Sequence, residues 1–215
     1  YSAVTIGSQY LSSLLNKPKG LSPSDVKTNI REPISWRLHS VGTVRVGGPI
    51  LLYETKENHL YRIFATGSGE IDAILQHIID DKVVTVGGDG SVTGNDNASL
   101  FWRMGTDSQT AYARLLDELP EIWTEDHQGN GFPHVLMDMN QGAIENFPEN
   151  WPNGVNTRYS QIQQSALVYD PRTDTTAFSE NAALNTRYFM TSPYGMGLDE
   201  SFFDNAVDYW TTAAD

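Results

Sequence analysis

Cysteine is absent from this 215-residue chain, and long apolar runs are absent as well. Without cysteine there is no disulfide framework, no thiolate nucleophile and no thiolate-ligated zinc or iron–sulfur centre. No run approaches the ~20 apolar residues that span a bilayer, and there is no signal-peptide pattern. The length suffices for one ordinary domain or two small ones, with a core that folds without covalent staples.

Basic residues are scarce, since 14 Lys and Arg stand against 27 Asp and Glu for a formal net charge of −13. An acidic chain is a poor candidate for wrapping nucleic acid, whose backbone is itself anionic. Residues 1–62 contain eight basic and four acidic residues (+4), whereas residues 63–215 contain six basic and 23 acidic residues (−17). This division indicates either ordinary solvated surface or a basic first segment that docks on something acidic, such as a second copy of the chain.

Closely spaced strand signals begin at residue 35. Asp80 and Asp81 predict the turn of a hairpin between Ala73–Ile79 and Lys82–Val86, which are rich in β-branched residues. The Gly/Asp/Asn-rich run Gly87–Asn97 is typical of an exposed loop. The other predicted strands are Ser35–Val46, Pro49–Thr55, Leu60–Thr66, Ser99–Met104, His134–Met139 and Ile162–Tyr169.

Helical signals are fewer. Thr106 and Gln109 make a capping-box pair at the start of the first helix, and Pro120 ends it. More than twice as many strands as helices predict an α+β fold with mostly antiparallel pairing. The predicted helices are Asp107–Leu119, Asn181–Met190 and the amphipathic Leu198–Asp215.

Three regions are expected along the chain. Residues 1–34 indicate an N-terminal arm or linker, residues 35–105 a β-rich subdomain, and residues 106–215 an α+β subdomain. The last predicted helix has no stop signal, and the chain begins at Tyr1 rather than Met. We therefore expect a trimmed protein, or a piece of a longer one that continues beyond residue 215.

The motifs that could indicate a binding site for a nucleotide or a metal ion are incomplete. Gly88–Gly94 lacks the third glycine of a dinucleotide fingerprint, and Asp126–Gly131 begins like a calcium loop but has Met137 where the ligand Glu belongs. His77 and Asp80 lie on a strand–turn–strand that aims them at opposite faces. The sequence therefore predicts no catalytic residue, no cofactor and no metal site.

Aromatic and basic side chains are the candidates for partner contacts. Trp151 lies in a predicted loop and is the first candidate, although a loop tryptophan that packs on its own domain is an equal alternative. Three arginines of the basic first segment are further candidates, namely Arg31, Arg37 and Arg45.

Five segments, in this order and spacing, resemble the N-terminal region of one protein family. That family is the central tail hub, or tip attachment protein, of long-tailed bacteriophages, which includes the J protein of lambda-like phages and related hubs of gene transfer agents. Val168–Arg172 with Ser179 and Asn181 is the strongest match, and the chain departs from the family at Ala182 and Ser165. The segments are Arg37–Glu54, Gly67–Val86, Gln109–Phe132, Val168–Leu184 and Tyr194–Asp215.

The resemblance implies β-rich hub domains in a homotrimer at the tip of a virion tail, assembled in the host cytoplasm. Such a hub would join the distal tail protein and other tail-tip proteins, with the tape measure protein as a further candidate, and would gate DNA exit. It implies no enzyme, no specific nucleic-acid binding and no cofactor, and it assigns receptor contact to later C-terminal domains. Two alternatives remain open at this point: a peptidoglycan glycosidase, and a carbohydrate-binding module of the tail tip that uses Trp151.

Overall fold

Antiparallel strands dominate the structure, a computed structural model that describes residues 38–203. The strands are β1 Thr43–Val46, β2 Ile50–Lys56, β3 His59–Ala65, β4 Ala73–Ile79, β5 Lys82–Val84, β6 Ser91–Val92, β7 Asn95–Met104, β8 Pro133–Asn140, β9 Tyr159–Gln164, β10 Leu167–Asp170 and β11 Thr175–Phe178. The helices are α1 Ala113–Glu118, α2 Phe147–Asn150 and α3 Ala182–Thr191, with 3-10 turns at Ile144–Asn146, Gly154–Asn156 and Glu200–Phe203. The predicted α+β class is confirmed. Within the described part, no helix is long and apolar enough to cross a membrane.

These strands form two larger sheets and one hairpin. A four-stranded sheet has the order β1-β9-β4-β5, a five-stranded sheet has the order β2-β3-β8-β7-β6, and β10 pairs with β11. β8 lies between β3 and β7, and β9 lies between β1 and β4. Both larger sheets therefore cross residue 105, where the sequence predicts a subdomain boundary. Strands far apart in sequence pair side by side, so neither sheet divides there.

The five-stranded sheet is buried on both faces. On one face, Phe64 and Val135 pack in the same cluster as Tyr159 of the four-stranded sheet. On the other face, Tyr61 and Leu136 pack with Tyr112 and Leu115 around α1. Successive strand residues point to opposite faces, which is why nearly the whole of β8 is buried. The result is three layers: four-stranded sheet, five-stranded sheet and helix.

A ladder of polar side chains runs along the inner face of β9. His77 Nδ1 donates to the Tyr159 hydroxyl at 2.7 Å, and that hydroxyl donates to Gln161 Oε1 at 2.8 Å. Gln161 Nε2 donates to Gln163 Oε1 at 2.6 Å, and Gln163 Nε2 donates to Ser165 Oγ at 3.0 Å. A one-residue slip of β9 would turn this ladder outward, so it helps to set the register. Ser165, a departure from the resembling family, is the last member of the ladder.

The predicted start of the first helix is wrong. α1 begins at Ala113 rather than Asp107, and Tyr112 has extended backbone dihedrals. The reason is that Gln109 does not cap a helix. Its Oε1 accepts from Gly105 N at 2.9 Å, and its Nε2 donates to the carbonyls of a loop over residues 128–132. This tertiary use of the side chain holds residues 107–112 out of the helix.

Two strand predictions also need correction. The predicted strand Ile162–Tyr169 is two strands, because the chain leaves the four-stranded sheet after Gln164 and enters the β10–β11 hairpin at Leu167. The expected loop Gly87–Asn97 contains β6 and the start of β7. In both cases, pairing with strands that are remote in sequence determines where the strands begin and end.

Local turn and capping signals are more reliable. Asp80 and Asp81 both have positive φ (48° and 63°), as a two-residue primed hairpin turn requires, which confirms the β4–β5 hairpin. Asn181 accepts hydrogen bonds from Ala183 N and Leu184 N at 2.9 and 3.2 Å, and α3 follows it as predicted. The predicted loop around Trp151 contains three short helical turns, Ile144–Asn146, Phe147–Asn150 and Gly154–Asn156. Most of the predicted helix Leu198–Asp215 lies outside the described residues.

Candidate functional site

The structure places Trp151 inside the protein. Only 2 % of its surface is exposed, and it belongs to the core cluster between the two larger sheets. Its Nε1 donates to the Asn140 carbonyl at 2.8 Å, which pins the end of α2 to the end of β8. The buried ring offers no face on which a sugar could stack. The structure therefore favours the alternative in which this loop tryptophan packs on its own domain.

Arg45 lies on the edge strand β1, with half of its side chain exposed. Its Nη2 lies 2.5 Å from Asp81 Oδ1, and Asp81 also pairs with Arg158 at 3.1 Å. These contacts tie the β4–β5 turn to β1 and to the start of β9. Arg45 therefore has an acidic partner within the chain, and its role toward a partner protein stays a proposal. Arg31 and Arg37 lie outside the described residues.

A cavity of about 210 Å³ opens beside Trp151, at the β2–β3 hairpin. We call it the hairpin pocket. Its lining is mostly apolar. The lining residues are Thr55, Glu57, Asn58, His59, Leu60, Met139, Gln141, Phe147, Trp151, Gly154 and Val155. Small-molecule sites usually measure roughly 300–1,000 Å³, so this cavity is better matched to one or two side chains.

Histidine and aspartate side chains meet at the edge of the hairpin pocket. His59 Nδ1 lies 2.6 Å from Asp138 Oδ1, and Asp138 Oδ2 lies 3.0 Å from Arg114 Nη2. His59 Nε2 in turn contacts Asn140 Nδ2 at 2.9 Å. Both ring nitrogens are therefore engaged, whereas a general base needs one nitrogen directed at its substrate. The network ties the hairpin to β8 and α1.

Tyr61 lies against this network. Its ring stacks on His59 with the ring centroids 5.7 Å apart. Burial, reinforced by the negative charge of Asp138, raises the pKa of Tyr61 to about 12. The phenol is therefore neutral at any physiological pH and serves as packing, not as an acid.

Arg62 is the functional-looking residue that sequence reasoning missed. It is 2 % exposed, and its Nη1 donates to the carbonyls of Thr157 and Val155 at 2.8 and 3.1 Å. Its Nη2 contacts the Met139 sulfur, and the guanidinium lies over the Phe64 ring. Burial lowers the pKa of Arg62 to about 10. The side chain anchors the 154–157 turn that forms one wall of the hairpin pocket. One feature of the sequence indicates this buried position: Arg62 is the single charged residue in the otherwise apolar strand segment LYRIF.

The incomplete motifs take up structural roles. His77 is buried against Tyr159, while Asp80 Oδ1 accepts from Arg158 N at 2.8 Å on the far side of the turn. Asp89 accepts hydrogen bonds from Ser91 and closes the glycine-rich turn. Among residues 38–203, no group of three or more His, Asp or Glu side chains could hold a metal ion.

The strongest family-like segment also has a structural role. Asp170 Oδ2 lies 2.6 Å from Arg172 Nη2, and Asp170 Oδ1 accepts from the Arg172 backbone N at 2.9 Å. This pair closes the β10–β11 turn. Ser179 Oγ accepts from Asn181 N at 3.1 Å, just before Asn181 caps α3. The matching residues therefore shape a hairpin and a helix start.

Comparison with known proteins gives a weak structural similarity. No protein-family model matches the chain, and no curated protein is detectably similar to it. Among solved structures, a chain from the "Virion of native gene transfer agent (GTA) particle" is similar, with a TM-score of 0.42 and 15 % sequence identity. The match covers 95 % of this chain and 45 % of that chain, so this chain spans less than half of its length. A similarity at this level does not establish a shared function.

Proposed function

We propose that this chain is a structural virion protein that forms the N-terminal region of a trimeric central hub at the tip of a long tail. The observation that carries the proposal is the order and spacing of the five family-like segments between residues 31 and 215. No single segment is specific, but a chance match would not be expected to preserve the order of all five.

The described geometry supports a structural role. The family-like residues Asp170, Arg172 and Asn181 close turns and start a helix. His59, the histidine closest to a pocket, has both ring nitrogens engaged. Asp138 is the one deeply buried carboxylate of the described residues, and it pairs with Arg114. A glycosidase would instead need two carboxyl groups that face each other across a substrate cleft.

In this role three copies close the end of the tail tube. The hub joins the distal tail protein above to other tail-tip proteins and the tape measure protein, and later domains of the whole hub protein contact the host receptor. The −17 charge of residues 63–215 suits a wall along which DNA slides, because phosphate is held by cationic contacts.

Labelling of intact particles tests the proposal. Antibodies raised against residues 38–203 and carrying gold should mark the tail tip in electron micrographs of particles from the source organism. Preimmune antibodies serve as the control. Label along the tail tube or on the capsid, or absence of the protein from purified particles, would overturn the hub assignment.

DNA binding gives an independent test. The recombinant chain should not retard a duplex at moderate salt, because its acidic surface repels phosphate. Tight, salt-sensitive duplex binding would contradict a DNA-conducting wall.

A further inference from the structure

At three places in the described chain, a glycine directly follows an asparagine or an aspartate. These places are Asp89-Gly90, Asn130-Gly131 and Asn153-Gly154. There the backbone nitrogen of the glycine can approach the side-chain carbonyl carbon of the residue before it, because glycine has no Cβ to hinder the approach. Asparagine is also one of the thermolabile residues of proteins. The sequence alone therefore ranks Asn130 and Asn153 as equally reactive.

The hydrogen bonding of the glycine nitrogen distinguishes the three places. Gly154 N donates to the Trp151 carbonyl at 2.8 Å, and Gly90 N donates to the Gly87 carbonyl at 3.0 Å. Within residues 38–203, no group accepts a hydrogen bond from Gly131 N. A nitrogen that donates a hydrogen bond must give it up before it attacks a carbon atom, which costs free energy. Of the three nitrogens, Gly131 N is therefore the one that is free to attack.

The surroundings of Asn130 leave room for this reaction. Asn130 is exposed to solvent, and its Nδ2 donates to Gln128 Oε1 at 3.1 Å. A Cβ placed on Gly131 would meet no heavy atom within 4 Å outside the adjacent residues. Asn153 is also exposed, but the turn that follows it is anchored from within the core by Arg62. Solvent access is therefore similar at the two asparagines, and the backbone contacts differ.

We propose that Asn130 is a site of spontaneous deamidation in the folded protein. Gly131 N attacks the side-chain carbonyl carbon of Asn130, the new C–N bond closes a cyclic imide, and the side-chain nitrogen leaves as ammonia with the proton of Gly131 N. Water then opens the imide at one of its two carbonyls and yields aspartate or isoaspartate. The net reaction exchanges one ammonia for one water and needs no oxidant, reductant or enzyme. This inference does not depend on the proposed function.

Isoaspartate at position 130 would lengthen a loop that the fold holds closely. It adds one main-chain carbon to the segment 128–132, whose carbonyls accept hydrogen bonds from Gln109 Nε2. The Gly131 carbonyl accepts from Gly69 N at 2.8 Å. The longer main chain cannot keep all of these contacts at their present distances, so the isoaspartate form should be less stable. Aspartate at the same position adds a surface charge and leaves the main chain unchanged.

Incubation of the folded chain at mildly alkaline pH, followed by peptide mass spectrometry, tests the site. A glutamate-specific protease separates the two asparagines, because Glu145 and Glu149 lie between them. Aspartate and isoaspartate should accumulate at Asn130 ~5-fold faster than at Asn153, since Gly154 N must first give up a hydrogen bond. In urea, where the turns are lost, the two sites should react at similar rates. Equal rates in the folded protein, faster reaction at Asn153, or no product at Asn130 would each overturn the inference.

Incubated variants test the structural consequence. Asn130→Gln removes the reactive side chain, because the longer amide closes a ring far more slowly, and this variant should unfold in urea after incubation as it did before. Wild type incubated in parallel should acquire a less stable population. Freshly prepared Asn130→Asp carries the charge without the added main-chain carbon, and should unfold like fresh wild type. An equal loss of stability in incubated Asn130→Gln would overturn the consequence drawn for isoaspartate at this site.

Discussion

Buried polar residues determine much of how this molecule holds its shape. Arg62 and His77 are both at least nine-tenths buried, and each binds groups that lie far away in the sequence. A buried polar group is stable only when its hydrogen bonds are made inside the protein. Such residues therefore join the layers, and each loses its partners if one layer shifts.

His77 should make stability depend on pH. Burial lowers its pKa to about 4, whereas imidazole in the unfolded chain titrates near 6.5. Between these pH values the unfolded chain binds more protons, so this contribution is complete above about pH 6.5 and is lost as the pH falls toward 4. His77→Gln should flatten the pH dependence of the unfolding free energy in this window, as measured by urea titration.

His134, whose pKa burial also lowers, stays in place in that variant, so a reduced slope is expected and not a flat line. An identical slope in wild type and His77→Gln would show that His77 does not titrate differently in the two states.

Trp151 should contribute to the stability of the fold. Trp151→Ala removes a buried ring and a hydrogen bond to Asn140, and should lower the unfolding free energy by about 3–5 kcal/mol. Trp151→Phe keeps most of the packing and should lose less. Urea unfolding measures both. A Trp151→Ala protein of wild-type stability that has lost a binding partner would instead show a contact residue.

At the scale of elements, short-range signals set where turns and helices start. The Asp80-Asp81 turn and the Asn181 cap each work through backbone groups within three residues. Elements whose ends depend on remote partners behave differently. α1 starts at Ala113 because Gln109 is engaged with a loop some twenty residues further on.

Proline at position 182 should stabilise α3. Ala182 is the first helical residue and is exposed, and Asn181 before it has φ −64° and ψ 120°, which suits a residue that precedes proline. Ala182→Pro should raise the unfolding free energy by about 0.4–1 kcal/mol, through a less flexible unfolded chain. Thermal or urea unfolding gives the value.

Ala183→Pro is the matched control, because Ala183 N donates to the Asn181 side chain. That substitution should destabilise the protein. Destabilisation by Ala182→Pro as well would mean that the helix start differs from the described cap.

At the scale of the whole molecule, charge is divided between two regions of the chain. The chain is +4 over residues 1–62 and −17 beyond them. A protein divided in this way is suited to contacts between unlike surfaces of identical copies.

Deleting residues 1–34 should weaken self-association. Under the hub proposal, we expect recombinant trimers to shift to monomer in light scattering, because the basic segment would no longer meet an acidic neighbour. High salt should weaken the intact trimer in the same direction, since it screens exposed charges. A trimer of unchanged mass after the deletion would reject the arm role.

The sequence by itself determined the α+β class, the β4–β5 turn, the start of α3 and the family resemblance. Each of these depends on residue types and short spacings, which act within a few residues of the chain. Only the tertiary structure decided that β9 lies between β1 and β4, that Arg62 is buried, and that Trp151 fills the core beside a pocket. Those outcomes depend on which distant strand offers a partner or a space, and no local pattern of residues records that.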